Sequence, residues 1–282
     1  MSVNLPTAFI AQFDAEVKHA YQGQSKLMNT VRVRTGVIGS TLRFPKMGKG
    51  LAQPHVPQAD VTPMNVGHSN ATATLQDWDA PEYTDIFQQQ KINFDERREL
   101  VTVIAGAMGR RADQLILDAA EIATENTVDV AIGGNNAFNI GKLRRAKKLL
   151  DAKGVPSDRR HFAISATAME QLLGSTQATS TDYNAVRSLV NGEINSFVGF
   201  QFHMIEDRDE GGLPLVGNSR TLYAWHQDAV GLAIGLNMRT EINYIPEKTS
   251  WLINGVMSAG AVNIDNDGIV DITIDESVAV NA

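Results

Sequence analysis

Residues Gly36 to Gln90 hold five of the chain's nine prolines, with neither a helical apolar period nor a compact core pattern. A structureless loop of that size is rare inside a compact domain, so the stretch reads as a functional extension. Ordering about 55 backbone residues costs on the order of 55 kcal/mol in conformational entropy. At about 25 cal/mol per Å², offsetting that takes roughly 2,000 Å² of apolar burial. The segment has too little apolar material to supply this against itself. Its order must come from a surface outside its own domain, and a second copy of the chain is the simplest source.

The rest of the chain has the material of an ordinary folded body: 282 residues, 43% hydrophobic and 20% charged. No run approaches 18 apolar residues, which excludes a membrane-spanning helix. The first twenty residues lack a basic region followed by an apolar core and do not form a secretory signal. Absence of cysteine excludes disulfides and thiolate metal sites and fits a reducing compartment. Charge is uneven. Residues 1–90 balance seven basic against seven acidic side chains, 91–160 carry thirteen against ten, and 161–282 carry five against fifteen. A dedicated nucleic-acid-binding domain needs a clustered basic face, which this distribution does not provide.

Along the chain, Phe9, Phe13 and Val17 have helical spacing, and Val31, Val33 and Thr35 alternate with Arg32 and Arg34 as a strand does. Thr41 to Phe44 extends the strand signal up to Pro45. Gly39 to Glu82 reads as a long two-stranded excursion with an irregular tip, its two arms of about 20 residues reaching roughly 60 Å. The spacing then predicts one long helix from Asn93 to about Glu125, capped by Asn93 with Glu96 three positions later. Leu100, Val101, Ile104, Met108, Leu115, Ile116 and Ile122 form its apolar stripe. A second helix is expected over Ile140 to Ala152, closed by Gly154. The segment 161–166 reads as a strand, followed by a capping box from Thr167 to Glu170. Short helices are expected at Ala185 to Val190 and over HQDAVGLAIG (226–235). FQFHMIED (200–207) and TLYAW (221–225) read as strands, 238–258 as a hairpin turning at 246–249, and DNDG (265–268) as a hairpin turn into a last strand.

This order makes the chain α+β, in one intertwined body with extensions. An N-terminal arm, a long hairpin-like loop, a long helix and a mixed region resemble the major capsid proteins of tailed double-stranded DNA phages, the Hong Kong 97-like capsid fold. RRHFAISATAMEQLLG, NGEINSFVGFQFHMIED, WHQDAVGLAIG and AGAVNIDNDGIVDITI are each degenerate, and their order carries the resemblance. It implies an N-arm over 1–35, an extended E-loop hairpin over 36–90, and a peripheral domain with the spine helix over 91–134 and 236–260. An axial domain then takes 135–235 and 261–282. It further implies a structural protein without turnover that self-assembles as hexamers and pentamers into an icosahedral head around double-stranded DNA. The DNA would be held nonspecifically, with portal and scaffolding proteins as partners, a decoration protein as an optional one, and no membrane. Its place would be the virion, assembled in the host cytoplasm. An encapsulin-type nanocompartment shell is the alternative within the fold, and a soluble enzyme or binding domain the alternative outside it.

No catalytic, cofactor-binding or metal-ligating residue emerges. Histidines 19, 55, 68, 161, 203 and 226 lack ligand spacing and read as surface or hydrogen-bonded residues. Phosphate-loop and nucleophile-elbow motifs are absent. Asn263, Asp265, Asp267 and Gly268 match half of a calcium loop, but Ile274 stands where a bidentate Glu is needed. Some members of the resembled family join an E-loop lysine to a neighbour's asparagine. Here Lys46 and Lys49 could meet Asn243 or Asn254 with Glu241 as base, against the plainer reading of solvated lysines paired with acids. Arg144, Arg145, Lys147 and Lys148 read as a solvated or ion-paired helix face, with a DNA-facing role as the alternative.

Overall fold

The computed structural model describes residues 25–58, 60, 61, 63–89, 91, 95–121, 126–174 and 196–278. The helix expected around Phe13, the Asn93 cap and the helix expected at 185–190 lie outside the described residues.

Four strands build a first sheet in the order β1 (Arg32–Thr35), β11 (Val230–Ile245), β12 (Ser250–Asn263) and β4 (Gln76–Asp85). β1 runs parallel to β11, and the other pairs are antiparallel. The hairpin between β11 and β12 turns through a 3₁₀ turn at Pro246–Lys248, with Thr249 left-handed at φ 47°. Proline at its start has the φ that such a turn requires. β2 (Thr41–Met47) and β3 (His68–Thr74) pair only with each other, as a ribbon. α1 (Ile86–Gln89) is a single turn after β4.

The long helix α2 spans Glu96–Glu121 and lies across the first sheet. Its 26 residues extend about 39 Å. Ile104, Met108, Ala112, Ile116, Leu117, Ala119 and Ala120 are its buried apolar stripe; of the expected one it keeps Ile104, Met108 and Ile116, while Leu100, Val101 and Leu115 are half-buried and Ile122 lies outside the described residues. Gly255 of β12 lets the helix sit this near: a Cβ there would come within 2.4 Å of Ile104 Cγ2. Along its length Arg97 stacks on Trp251 and Arg111 on Trp78, with guanidinium carbons 5.1 and 4.3 Å from the ring centroids.

The second sheet runs β5 (Thr127–Val128), β13 (Ile269–Asp275), β10 (Ser219–His226), β6 (Arg160–Ser165), β8 (Phe200–Ile205), β7 (Ser196–Phe197), with β9 (Leu215–Val216) against β10. α3 (Ile140–Ala152) and α4 (Ala166–Leu173) complete this part. Its core is aromatic, with Phe162 5.5 Å from Phe138 and 5.2 Å from Phe202. Asn139 caps α3 by accepting from Lys142 N at 3.0 Å, and Gly154 follows it at φ 77°. Lys142 is itself buried; its ammonium donates to the carbonyls of Asn135 and Ala137, closing the 133–137 loop over the helix start. Burial lowers its pKa to about 8, against the charge of Asp129.

Two short crossings join the sheets. β10 passes to β11 through residues 227–229, and β12 passes to β13 through 264–268. Both meet at Ala229, whose carbonyl accepts from Ile264 N at 2.8 Å and Asp265 N at 3.2 Å. The turn at 265–268 therefore changes sheet and does not close a hairpin, contrary to the sequence expectation. HQDAVGLAIG is also not helical: residues 230–234 are the inner half of β11, buried between β1 and β12. A strand buried on both faces loses its alternation and is not separable from a buried helix by periodicity. The capping box is displaced too. Ser165, not Thr167, caps α4 by accepting from Ala168 N at 3.2 Å.

Before β1, the chain is fixed by Asp113 of α2. This wholly buried carboxylate accepts from Ser25 Oγ (2.9 Å), Lys26 N (3.0 Å), Leu27 N (3.1 Å) and Arg208 Nη2 (2.9 Å). Leu27 and Val31 then enter the main core, and Trp225 Nε1 donates to Thr30 O at 3.1 Å.

Candidate assembly surfaces

The ribbon is shorter than its sequence suggests. β2 and β3 pair over seven residues each, Thr41 to Met47 against His68 to Thr74, which spans about 23 Å. β4 returns to the body and pairs with ten residues of β12. Between β2 and β3, the described residues of 48–67 are not in strands. At its base, Phe44 and Ala73 are buried against Ala233, in a small cluster separate from the main core. Gly231 makes room, since a Cβ there would lie 2.8 Å from Phe44 Cζ.

Along residues 38–64 most of the large apolar side chains are exposed. Ile38 is 98% exposed, Leu51 82% and Val61 89%, with Met47, Val56 and Met64 also exposed. Scattered apolar residues are normal on a surface, but six within 27 positions of one projecting segment mark an interaction surface.

The candidate lysines sit on the ribbon's near side and are engaged. Lys46 Nζ is 2.7 Å from Asp265 Oδ1; Lys49 Nζ donates to the Lys153 carbonyl at 3.1 Å and lies 3.9 Å from Asp267. Lys153 reaches Asp267 at 3.0 Å. The Lys153 hydrogen bond, with the three lysine charges, holds the Asp267 carboxyl below its usual range. The half-matched calcium loop is thus occupied by ammonium groups, and among the described residues no cluster of His, Asp or Glu could hold a metal ion. Asn254 does face Glu241 directly across β12 and β11, with Asn243 two residues beyond on the same strand. The structure does not bring Lys46 or Lys49 to them.

On α3, Arg144, Lys147 and Lys148 line a shallow concavity with Asp151 and Val198. Of the histidines, His55 and His68 are exposed on the ribbon and His19 lies outside the described residues. His161 and His203 meet, Nδ1 to Nε2 at 3.1 Å, from neighbouring parallel strands. Burial is the main cause that lowers both, His161 to about 4. His226 is buried 3.8 Å from Asp228. Forty-two positions separate His161 from His203, so only the pairing of β6 with β8 reveals the contact.

None of these groups forms a nucleophile, base and oxyanion-donor arrangement, and what the surface offers is contact area. The family described as phage capsid protein matches residues 5–276. The chain belongs to that family. No curated protein matches it. Solved capsid structures share its fold with little sequence in common. The cyanophage P-SCSP1u capsid is 15% identical over 96% of this chain and 94% of its own, with a TM-score of 0.75. The capsid of Ralstonia phage GP4 is 10% identical over 100% and 99%, with a TM-score of 0.74. A Mycobacterium phage Che8 chain is 15% identical over 94% and 97%, with a TM-score of 0.71. The fold of this capsid protein is accordingly Hong Kong 97-like, and its role is that of a shell-forming structural protein of a phage head.

Proposed function

We propose that this capsid protein self-assembles as hexamers and pentamers into an icosahedral head that encloses double-stranded DNA. The observation that carries the reading is the projecting ribbon, whose apolar residues from Ile38 to Met64 have no core of their own to enter. In this reading residues 1–35 serve as an N-arm and 36–90 as the E-loop laid over a neighbour. Residues 91–134 and 236–260 form the peripheral domain, and 135–235 with 261–282 the axial domain. Portal and scaffolding proteins complete the head, assembly takes place in the host cytoplasm, and the chain performs no turnover. The packaged DNA is held by enclosure and not by a sequence-reading face, consistent with the chain's net charge of −7.

The test replaces residues 49–66 by an Asn-Gly turn. Gly48 N already donates to Gly67 O at 2.8 Å, continuing the register of Met47 with His68, so a two-residue turn can close the shortened ribbon. Negative-stain electron microscopy should show closed shells from the full chain and none from the shortened one, whose circular dichroism stays native. Normal shells from the shortened chain would refute the ribbon's role.

A further inference from the structure

One edge of the first sheet is β4; the other is β1 and, where β1 ends, β11 itself. β1 covers β11 only from Gly231 to Ile234, and among the described residues no main-chain partner covers the strand beyond. There, Asn237 to Tyr244 are exposed except for half-buried Thr240. Met238, Ile242 and Tyr244 are between 42% and 46% exposed. An open edge carrying apolar side chains is a template for another strand, and monomeric proteins block it with proline, lysine, inward charge or a bulge; in β11 the irregularities lie before Arg239 and leave Arg239 to Ile245 regular. Here the first proline and lysine, Pro246 and Lys248, come only after the strand ends.

The charges on this edge choose the partner. Arg239 and Glu241 flank Thr240 on one face, Nη2 to Oε1 at 2.8 Å, and are 60% and 46% exposed. In an antiparallel pair, directly opposed residues share a face and interact. If two copies of the edge pair about a two-fold axis through Thr240, each Arg239 opposes the other copy's Glu241. An axis through Arg239 or Glu241 would oppose like charges, and a parallel pair would stack Arg on Arg. The irregularity in β11 between Leu236 and Arg239 ends the regular stretch on the inner side. We propose that Arg239–Glu241 of β11 is the centre of a self-complementary edge that pairs antiparallel with the same edge of a second copy, about Thr240. Such a contact is isologous and closes on itself, so it joins subunits two by two. It rests on the self-assembly reading above and names one contact within it.

Two charge reversals test it. Arg239→Glu alone and Glu241→Arg alone each make the edge repel its own kind, while a mixture of the two variants restores opposite charges across the axis. Within each chain the Arg239–Glu241 pair stays broken, so mixing cannot repair an effect internal to one subunit. Each variant alone should raise the critical concentration for shell formation about tenfold or more, and the mixture should return it toward the wild-type value. Separately, T240C introduces the chain's sole cysteine. On the axis, its copy would lie within disulfide reach, and mild oxidation of assembled particles should give a band at twice 30.7 kDa. Single variants that assemble normally, single variants that fail without rescue on mixing, or T240C particles that yield no dimer band would each overturn the proposal. Failure of the wild-type chain to form shells would instead strike the self-assembly reading.

Discussion

Substituting Asp113 by asparagine tests how the chain start is held to the long helix. Asp113 Oδ1 accepts from Ser25 Oγ and Leu27 N, and Oδ2 from Lys26 N and Arg208 Nη2. Asparagine keeps one acceptor oxygen and turns an N–H group toward the donors at the other position. Arg208, whose side chain is 9% exposed, keeps its charge with only the half-exposed Glu206 at 3.4 Å as counter-ion. Removing one member of a buried ion pair costs about 3–5 kcal/mol, because the remaining charge stays desolvated. We therefore expect Asp113→Asn to destabilise the unassembled subunit by about 4 kcal/mol. At a slope near 2 kcal/mol per M, the urea midpoint falls by about 2 M. Arg208→Met in the same background should recover part of the loss, with a coupling of about 2 kcal/mol or more, since the double variant leaves no orphaned charge. A shift below about 1 kcal/mol for Asp113→Asn, or strict additivity of the two changes, would refute the account.

Two pH dependences follow from buried groups. Burial keeps His161 and His203 neutral in the fold, and their contact needs one ring to accept. Their contribution is complete above about pH 6.5 and is lost as pH falls toward 4, by up to about 3 kcal/mol for His161. Urea unfolding between pH 7 and 4 should show this slope in the wild type and a flatter one in His161→Gln; parallel slopes would count against it. Asp271 behaves oppositely. Burial, and then the charge of Glu121, push its carboxyl up to about 7, and its Oδ1 has no hydrogen-bond partner. The native state therefore holds a proton that the unfolded chain releases near pH 4, and stability falls as pH rises through 7. Asp271→Asn should be more stable than wild type by about 2 kcal/mol at pH 8 and equal to it at pH 4; no gain at pH 8 would contradict the assignment.

What could be read from the residues divides along physical lines. The bounds of α3 were legible to the residue because its stop signal, Gly154, is local, while the Asn139 cap emerged only with the backbone geometry. The stripe of α2 was legible in part, at Ile104, Met108 and Ile116, because small residues such as Ala112, Ala119 and Ala120 carry little apolar signal. The inner half of β11 was not, because burial on both faces removes the period that marks a strand. Ser165 escaped notice because two hydroxyl residues stood near the helix start, and only backbone geometry chooses between them. The exposed ribbon was foreseen from its prolines and poverty of core residues, but the return of β4 to the sheet was not. Gln76 to Asp85 is mostly polar, and its pairing with β12 is a property of the partner. The contacts that collect functional groups, His161 with His203 and Lys46 with Asp265, join positions 42 and 219 apart. No spacing rule within one segment reaches that far.

The meeting of both crossings at Ala229 has a mechanical meaning. Lys46 binds Asp265, Lys49 and Lys153 bind Asp267, and all three therefore grip the crossing from β12 to β13. A pull on the ribbon by whatever lies beneath it therefore reaches the seam between the two sheets through Lys46 and Lys49, as well as the first sheet through β1 and β4. At that seam the main chain passes twice, one crossing hydrogen-bonded to the other, so the sheets cannot part there without breaking backbone bonds. The ribbon's share of that load passes through the Lys46 and Lys49 pairs, which are open to solvent and weaken with salt. A shell built this way would feel ionic strength first in the angle of its ribbons and only later in the integrity of its subunits.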